Sequence, residues 1–262
     1  MRRSLTIGLS LAALTTLTAW LALPGPAGLA VVDTHGEWVK FTNAAGDTIP
    51  AYVAWPQRKD RAPTILVIHQ IFGLTPWETS VVDKLAGQGY VAIAPDLLGS
   101  KYGRTPANPD SARKLFAGLT PERIMGDLDA TAEFVDTLPG AARGNMATIG
   151  FCWGGQQSFA YATHNPKLKA AVVCYGPAPD SAAMARIQAP ILGVYAEKDA
   201  RVNDPLPQVN AMMKLLGKSF TYDIYPGTGH GFLSPGRMGN DTDQPAKAWA
   251  RILAYYRETL GS

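Results

Sequence analysis

The sequence is poor in cysteine and in charge. Its 262 residues include only two cysteines, Cys152 and Cys174, which excludes a disulfide framework and a cysteine-rich zinc site. Charged side chains make up 17% of the residues and leave a net charge of +3. Because the lysines and arginines are scattered, the clustered basic surface of a nucleic-acid-binding protein is excluded. Hydrophobic residues make up 47%, too many for a disordered chain, so we predict a globular protein. We predict no metal site.

Residues 1–30 have the pattern of a secretory signal peptide. An arginine pair precedes an uncharged stretch over 5–23, and the small residues that follow fit cleavage after Ala30 or, as second choice, after Ala27. The stretch is also close in length to a bilayer span, so an uncleaved membrane anchor is the alternative. We therefore expect a periplasmic or secreted protein with a single domain over 31–262, which meets a membrane only if the leading segment is retained.

Strand and helix patterns alternate along the rest of the chain. Short strands at 37–42 and 48–55 flank a turn with asparagine and glycine, which predicts a hairpin. Apolar runs predict further strands at 64–69, 90–94, 146–150, 169–175, 190–196 and 219–225. Helices are predicted at 76–88, from Thr120 onward, and at 154–164, 205–216 and 244–260, with a loop at 99–108. This order predicts an α/β fold, with a mostly parallel sheet, an N-terminal antiparallel hairpin and helices on both faces.

The most informative motif is a nucleophile elbow around Cys152. It follows the strand at 146–150 and opens the helix at 154–164, in the pattern Gly-x-nucleophile-x-Gly with cysteine in place of serine. Gly150 and Gly154 supply the room that this strained turn requires. The positive end of the helix dipole points at the thiol and favours the thiolate, which is the nucleophilic form. A buried structural cysteine is the alternative interpretation.

The partners of a cysteine nucleophile are predicted at the carboxyl ends of later strands. Asp199 and His230 follow Cys152 in the chain order nucleophile, acid, histidine. His230 would take the thiol proton and later activate water. Asp199 would hold the imidazole in its working tautomer, with Glu197 as the alternative acid.

An oxyanion hole needs two backbone N–H groups near the nucleophile. One is expected from Trp153, directly after the nucleophile, and the other from Ile71, in the loop after the strand at 64–69. From the sequence alone, the aromatic side chains nearby could line an apolar pocket or merely pack. The side chains expected near the site and its substrate are His69, Gln70, Phe72, Tyr102 and Arg104.

Six parts of the chain carry a resemblance to a known family. They are 69–74 with the pattern H-x-I-F-G-L, 94–97, the elbow at 150–155, Tyr175-Gly176, Asp199, and 229–232. Together they resemble the dienelactone hydrolase family of the α/β-hydrolase superfamily. The resemblance implies an α/β-hydrolase fold and a Cys-His-Asp esterase that forms a thioester and uses no cofactor. Its partner would be a small-molecule ester or lactone, and we expect a monomer.

Two departures from the family pattern bear on the substrate. The family commonly has glutamate before Ile-Phe-Gly, where it handles the thiol proton, but this sequence has Gln70, which cannot ionise. Members that act on chlorocatechol products carry arginines that hold the substrate carboxylate, at the places of Ser100 and Ser234 here. Both a carboxylated dienelactone and a neutral lactone or ester therefore stay open. The basic residues close by are out of register: Lys101, Arg104 and Arg237.

Two functions from other classes are alternatives to a hydrolase. A redox-active thiol protein could use Cys152 and Cys174, because both lie near the carboxyl ends of strands expected to be neighbours and secretion offers an oxidising compartment. A non-catalytic binding protein on a hydrolase scaffold is the other alternative, and the complete triad argues against it.

Overall fold

A computed structural model describes residues 32–261 of the chain. The predicted signal peptide or anchor at 1–30 lies outside the described residues. Within them, no helix is both long enough and apolar enough to cross a membrane.

Eight strands of the described chain form one sheet. They are β1 Thr34–Thr42, β2 Thr48–Pro56, β3 Ala62–Ile68, β4 Val91–Pro95, β5 Ala141–Phe151, β6 Ala170–Cys174, β7 Ile191–Lys198 and β8 Phe220–Gly229. Their order in the sheet is β1-β2-β4-β3-β5-β6-β7-β8. β2 pairs antiparallel with both β1 and β4, and the remaining pairs are parallel. The predicted mostly parallel sheet with an N-terminal antiparallel hairpin is confirmed.

Helices cover both faces of this sheet, as predicted. They are α1 Pro76–Gly87, α2 Gly99–Tyr102, α3 Pro109–Leu115, α4 Pro121–Thr137, α5 Trp153–His164, α6 Ser181–Met184, α7 Ala200–Asn203, α8 Leu206–Leu215 and α9 Gln244–Leu260. Apolar side chains of α1 and α9 form a core with one face, and those of α4, α5 and α8 form a second core with the other. The parallel strands between these layers are buried on both sides, which explains their continuous apolar sequences.

The predicted loop at 99–108 is wrong at its start, where the short helix α2 forms. The carboxylate of Asp96 accepts the N–H of Gly99 at 2.7 Å, and the Asp96 carbonyl accepts that of Ser100 at 3.0 Å. These bonds turn the chain into a helix directly after β4. Asp96 also holds the N–H and hydroxyl of Thr105 at 2.8 and 2.7 Å, which ties the far end of the segment to the sheet.

β8 is longer than predicted, and this sets the position of two expected site residues. It runs on to Gly229, with a register shift against β7 that leaves Lys198 opposite Gly229. Asp199 directly follows β7, and His230 directly follows β8. Adjacent strands therefore present them side by side at the carboxyl edge of the sheet, where sites of such sheets are found.

Candidate active site

The turn between β5 and α5 has the backbone strain of a nucleophile elbow. Cys152 has φ 57° and ψ −114°, a conformation that residues with a side chain rarely adopt. A Cβ at Gly150 would overlap the carbonyl of Gly154, and one at Gly154 would overlap the carbonyl of Ile68. Both glycines are therefore required by close backbone contacts, and the predicted elbow geometry is present.

Asp199 and His230 are joined by a short hydrogen bond. The Nδ1 atom of His230 lies 2.5 Å from Oδ2 of Asp199, whose side chain is only 7% exposed, whereas that of His230 is 32% exposed. The alternative acid, Glu197, points elsewhere and accepts the N–H of Gly227 at 2.9 Å. The structure thus brings Asp199, not Glu197, to the imidazole, and leaves Nε2 as the free nitrogen.

His230 also interacts with the side chain of Cys152. This interaction is the main cause that raises the pKa of His230 above its ordinary value of 6.5; burial opposes it, and the neighbouring Asp199 raises the pKa as well. A raised pKa means that the imidazolium is stabilised where the thiol would lose its proton. His230 is therefore hydrogen-bonded to Asp199 and has its pKa raised by the side chain of Cys152.

Replacing Cys152 by alanine is expected to lower the pKa of His230, because the largest stabilising contact of the imidazolium is lost while Asp199 remains. An NMR titration of the ring C–H signals measures this, and with four histidines in the sequence the His230→Gln variant assigns the signal. Cys174→Ala is the control and should leave the titration unchanged. An unaltered or higher pKa in Cys152→Ala would contradict the contact.

Tyr175 fixes the position of the imidazole from the side. Its ring meets that of His230 edge-on, with centroids 5.1 Å apart, and its backbone has φ 41°, the other positive value outside glycine in the described chain. Burial raises the pKa of the Tyr175 phenol well above its ordinary value, so the hydroxyl stays neutral. The sequence analysis placed Tyr175 in a shared motif but gave it no role.

His69 is buried and holds the loop that carries Ile71. Its Nε2 accepts the N–H of Leu97 at 3.2 Å, so Nδ1 carries the proton and donates to the carbonyl of Gln70 at 2.8 Å. The carbonyl and the next N–H of a trans peptide point in opposite directions. The Ile71 N–H is therefore directed away from His69. With no exposed surface, His69 supports this loop and does not face a substrate.

The side chains of Ile71 and Trp153, the two expected oxyanion residues, pack under the segment between α2 and α4, which we call the cap. Phe116 follows α3 in a short 3-10 turn, and its ring meets Trp153 edge-on at 4.5 Å. Ile71 and Trp153 both pack against the small cluster around Phe116, and the Trp153 ring also stacks on His69 at 5.7 Å. The segment after α2 thus steadies both halves of the expected oxyanion hole. The sequence analysis missed Phe116, because only the fold brings it there.

Gln70 lies in a buried polar cluster, which we call the Gln70 cluster: Gln70, Glu78, Ser234 and Tyr175. The amide of Gln70 donates to the Ser234 hydroxyl at 3.1 Å and lies 3.5 Å from Glu78. Glu78 was not singled out from the sequence. The sequence pattern that contains Glu78 is the helix-capping pattern Thr-x-x-Glu that begins at Thr75. This pattern predicts the start of a helix, but it does not predict that Glu78 is buried against Gln70.

The other expected neighbours lie further from the triad. Tyr102 donates its hydroxyl to the carbonyl of Leu115 at 3.2 Å and so braces the cap. Phe72 is half-buried in the Ile71 loop, and Arg104 is exposed on the segment between α2 and α3. The structure therefore joins Asp199 to His230 and packs Ile71, Trp153 and His69 together, but gives Tyr102 and Arg104 no contact with these residues.

Cys174 is separated chemically from Cys152, although the two are close along the sheet. Both are free thiols, and the Cys152 N–H donates to the Cys174 carbonyl at 3.0 Å. The Cys174 side chain is fully buried, and burial raises its pKa well above the ordinary value, so the reactive thiolate is disfavoured. This environment does not favour the redox alternative.

Within residues 32–261, no three histidine, cysteine or acidic side chains are grouped as metal ligands would be. Two cavities of about 310 and 540 Å³ are lined by residues other than the triad.

Comparisons with known proteins agree on one family. The family model described as "Dienelactone hydrolase family" matches residues 49–260. A "Putative carboxymethylenebutenolidase" of Salmonella typhi is 33% identical over 236 residues, covering 82% of this chain and 85% of that protein. One of Escherichia coli K12 is 30% identical over 273 residues, covering 95% and 98%.

A solved structure shows the same fold. The "Putative Dienelactone Hydrolase" of Klebsiella pneumoniae superposes with a TM-score of 0.78 at 27% sequence identity, covering 86% of this chain and 98% of that one. This likeness confirms the α/β-hydrolase fold, and the relatives indicate a hydrolase of the lactone or ester type. On the match to its family model and these relatives, the chain belongs to the dienelactone hydrolase family.

Proposed function

We propose that this protein hydrolyses an ester or lactone of a small molecule, with Cys152 as nucleophile, His230 as general base and acid, and Asp199 as the group that orients His230. The observation that carries this proposal is the hydrogen bond from Nδ1 of His230 to the Asp199 carboxylate, next to a strained elbow whose Cys152 side chain raises the pKa of the same imidazole. The relatives are named for a butenolide, which is a lactone, and that chemistry fits this arrangement.

Acylation would begin when Nε2 of His230 takes the proton of Cys152. The thiolate attacks the carbonyl carbon, and the electron pair of the C=O bond moves to oxygen. The N–H groups of Ile71 and Trp153 would hold this oxyanion, an interaction typically worth on the order of 10²–10³ in rate for each donor. As the C–O bond breaks, the leaving alkoxide takes the proton from His230, and a thioester remains on Cys152.

Deacylation would run the same steps with water. His230, now neutral, removes a proton from water, and the hydroxide attacks the thioester carbonyl. The intermediate expels the thiolate of Cys152, which recovers the proton from His230, and the acid leaves. With a lactone the alcohol and acid remain one molecule, so the ring is opened. Asp199 stabilises the imidazolium in both halves of the reaction.

Trapping the thioester tests this mechanism directly. Acid quenching during turnover of a 4-nitrophenyl ester should leave a mass increase equal to the acyl group on the peptide that contains Cys152. Hydroxylamine should remove it. An acyl group found on another residue, or turnover without any acyl-enzyme that also persists in Cys152→Ala, would contradict the proposal.

Mild peroxide is expected to inactivate the wild-type protein and the Cys174→Ala variant at the same rate. Cys152 is half-exposed beside His230, whereas the buried Cys174 is held as a thiol, so oxidation falls on Cys152. Residual ester hydrolysis against time, with peptide mapping of the oxidised site, measures this. A linked Cys152–Cys174 peptide that forms as activity is lost would instead support the redox alternative.

A further inference from the structure

The Gln70 cluster lies directly between the two loops that carry the catalytic groups. Gln70 comes one residue before Ile71, and Ser234 comes four residues after His230. Their side chains are 8% and 7% exposed and are joined by the 3.1 Å hydrogen bond from the Gln70 amide to the Ser234 hydroxyl. Both groups are neutral at every pH that a folded protein meets. The pair that joins the two loops is therefore uncharged.

A buried negative charge lies behind this pair. The carboxylate of Glu78 has no exposed surface and accepts the N–H groups of Gln70 and Thr75 at 3.3 and 3.0 Å, as well as the Thr75 hydroxyl. All these partners are neutral donors, and the N-terminus of α1 favours the anion. None of the ion pairs formed within residues 32–261 includes Glu78. Its charge is not neutralised by a cation.

Arg104 is exposed on the cap, whereas two other basic side chains there are bound to other groups. Arg123 pairs with Asp47 at 3.0 Å, and Lys101 donates to the carbonyl of Gly118. The Ser100 hydroxyl, nearby, donates to the carboxylate of Asp127 at 2.5 Å. Neither Arg123 nor Lys101 can supply a cation to the triad without breaking a contact that holds the cap.

Arg237 is a basic side chain beside the loop that carries His230. Its aliphatic part lies beside the backbone of Gly231, next to His230, and the residue is exposed. It lies on the outer side of the loop, in contact with solvent, where charge interactions are strongly screened. Substitution of Arg237 therefore tests whether this side chain binds the carboxylate of an anionic substrate.

We propose that the Gln70–Ser234 pair, with the Glu78 carboxylate behind it, makes this active site selective for uncharged esters and lactones and disfavours substrates whose acyl part carries a carboxylate. The proposal rests on the function proposed above and narrows its substrate class. A substrate carboxylate would lose water against this neutral pair and gain no cation in return. The fixed negative charge of Glu78 would repel it as well.

The test uses two substrates that differ only at the far end of the acyl chain, which is a methyl ester in 4-nitrophenyl methyl adipate and a carboxylate in 4-nitrophenyl hydrogen adipate. The reacting ester and the leaving group are the same in both. We expect kcat/KM of the neutral ester to exceed that of the anion by about 100-fold, as expected when a buried charge lacks a partner. Rates with Cys152→Ala are subtracted as background.

Two variants locate the origin of this preference. Glu78→Gln keeps the shape and removes the charge, so the preference should fall by roughly tenfold, mainly because the anion reacts faster. Glu122→Gln changes an exposed glutamate in the first turn of another helix, α4, and should leave the preference unchanged. Arg237→Gln should also leave it unchanged.

Equal kcat/KM values for the two wild-type substrates, with both rates dependent on Cys152, would overturn the substrate class and leave the proposed hydrolase intact. A selective loss of the anionic substrate in Arg237→Gln would also overturn it, since Arg237 would then hold the carboxylate. Release of nitrophenol that persists in Cys152→Ala would overturn the proposed function and this inference together. Because the wild-type comparison is decisive alone, the result does not depend on the folding of Glu78→Gln.

Discussion

Replacement of Cys152 by alanine is expected to lower kcat for ester hydrolysis by about 10⁴-fold or more and to leave the fold intact. The thiol is the group whose sulfur would bond to the substrate, and it is the main cause that raises the pKa of His230. Its removal therefore deletes the covalent intermediate, whereas the oxyanion groups remain. Cys152 is at the surface of the core, so alanine should fold; thermal unfolding measured by circular dichroism checks this.

Cys174→Ala is the matched control for this experiment. It removes the other thiol of the chain from a fully buried site, so it should lower stability slightly and retain most of the activity. Cys152→Ser should keep only a small fraction, because a hydroxyl in place of the thiol is far less ionised beside the same imidazole. Ester turnover near the wild-type level in Cys152→Ala would remove the basis of the proposed mechanism.

Replacement of Gly150 by alanine is expected to cost more than about 4 kcal/mol of unfolding free energy, enough to leave the protein largely unfolded or inactive. A methyl group there would overlap the backbone carbonyl of Gly154 and press on the N–H side of Gly155. Backbone on both sides of the elbow is fixed by β5 and α5, so neither contact can relax cheaply. Urea denaturation and residual activity measure the effect.

Gly126→Ala is the control for this substitution. Gly126 lies on the exposed side of α4, and a Cβ there has no heavy atom within 4 Å. Alanine is the better helix former, so this variant should be more stable by roughly 0.5–1 kcal/mol. Equal unfolding midpoints for the two variants would show that the elbow is less tightly packed than its contacts indicate.

Local patterns in the sequence were sufficient for most of the fold. The bounds predicted for α9 at 244–260 match the structure, and Thr120 begins α4 as a cap that accepts the N–H of Arg123. Such features depend on periodicity and on side chains a few residues apart, which a sequence displays directly. The short helix α2 was missed because its start depends on one carboxylate, Asp96, placed by the end of β4.

The candidate triad was also accessible from the sequence. A nucleophile elbow has a local pattern, and the acid and histidine follow it in a fixed chain order at strand ends. The choice between Asp199 and Glu197 was not accessible in this way. Both follow the same strand two residues apart, and the register of β7 against β8 decides which of them reaches His230.

The sequence by itself determined the fold class, the elbow at Cys152 and the residue types of the triad, because these depend on local pattern and chain order. Only the tertiary structure decided what surrounds them. It placed Glu78, a helix-capping residue by sequence, behind Gln70, and it brought Ser234 from 164 positions away to the same amide. It also assigned His69 to the support of the Ile71 loop. Contacts between residues so far apart depend on strand order and register, which no local pattern encodes.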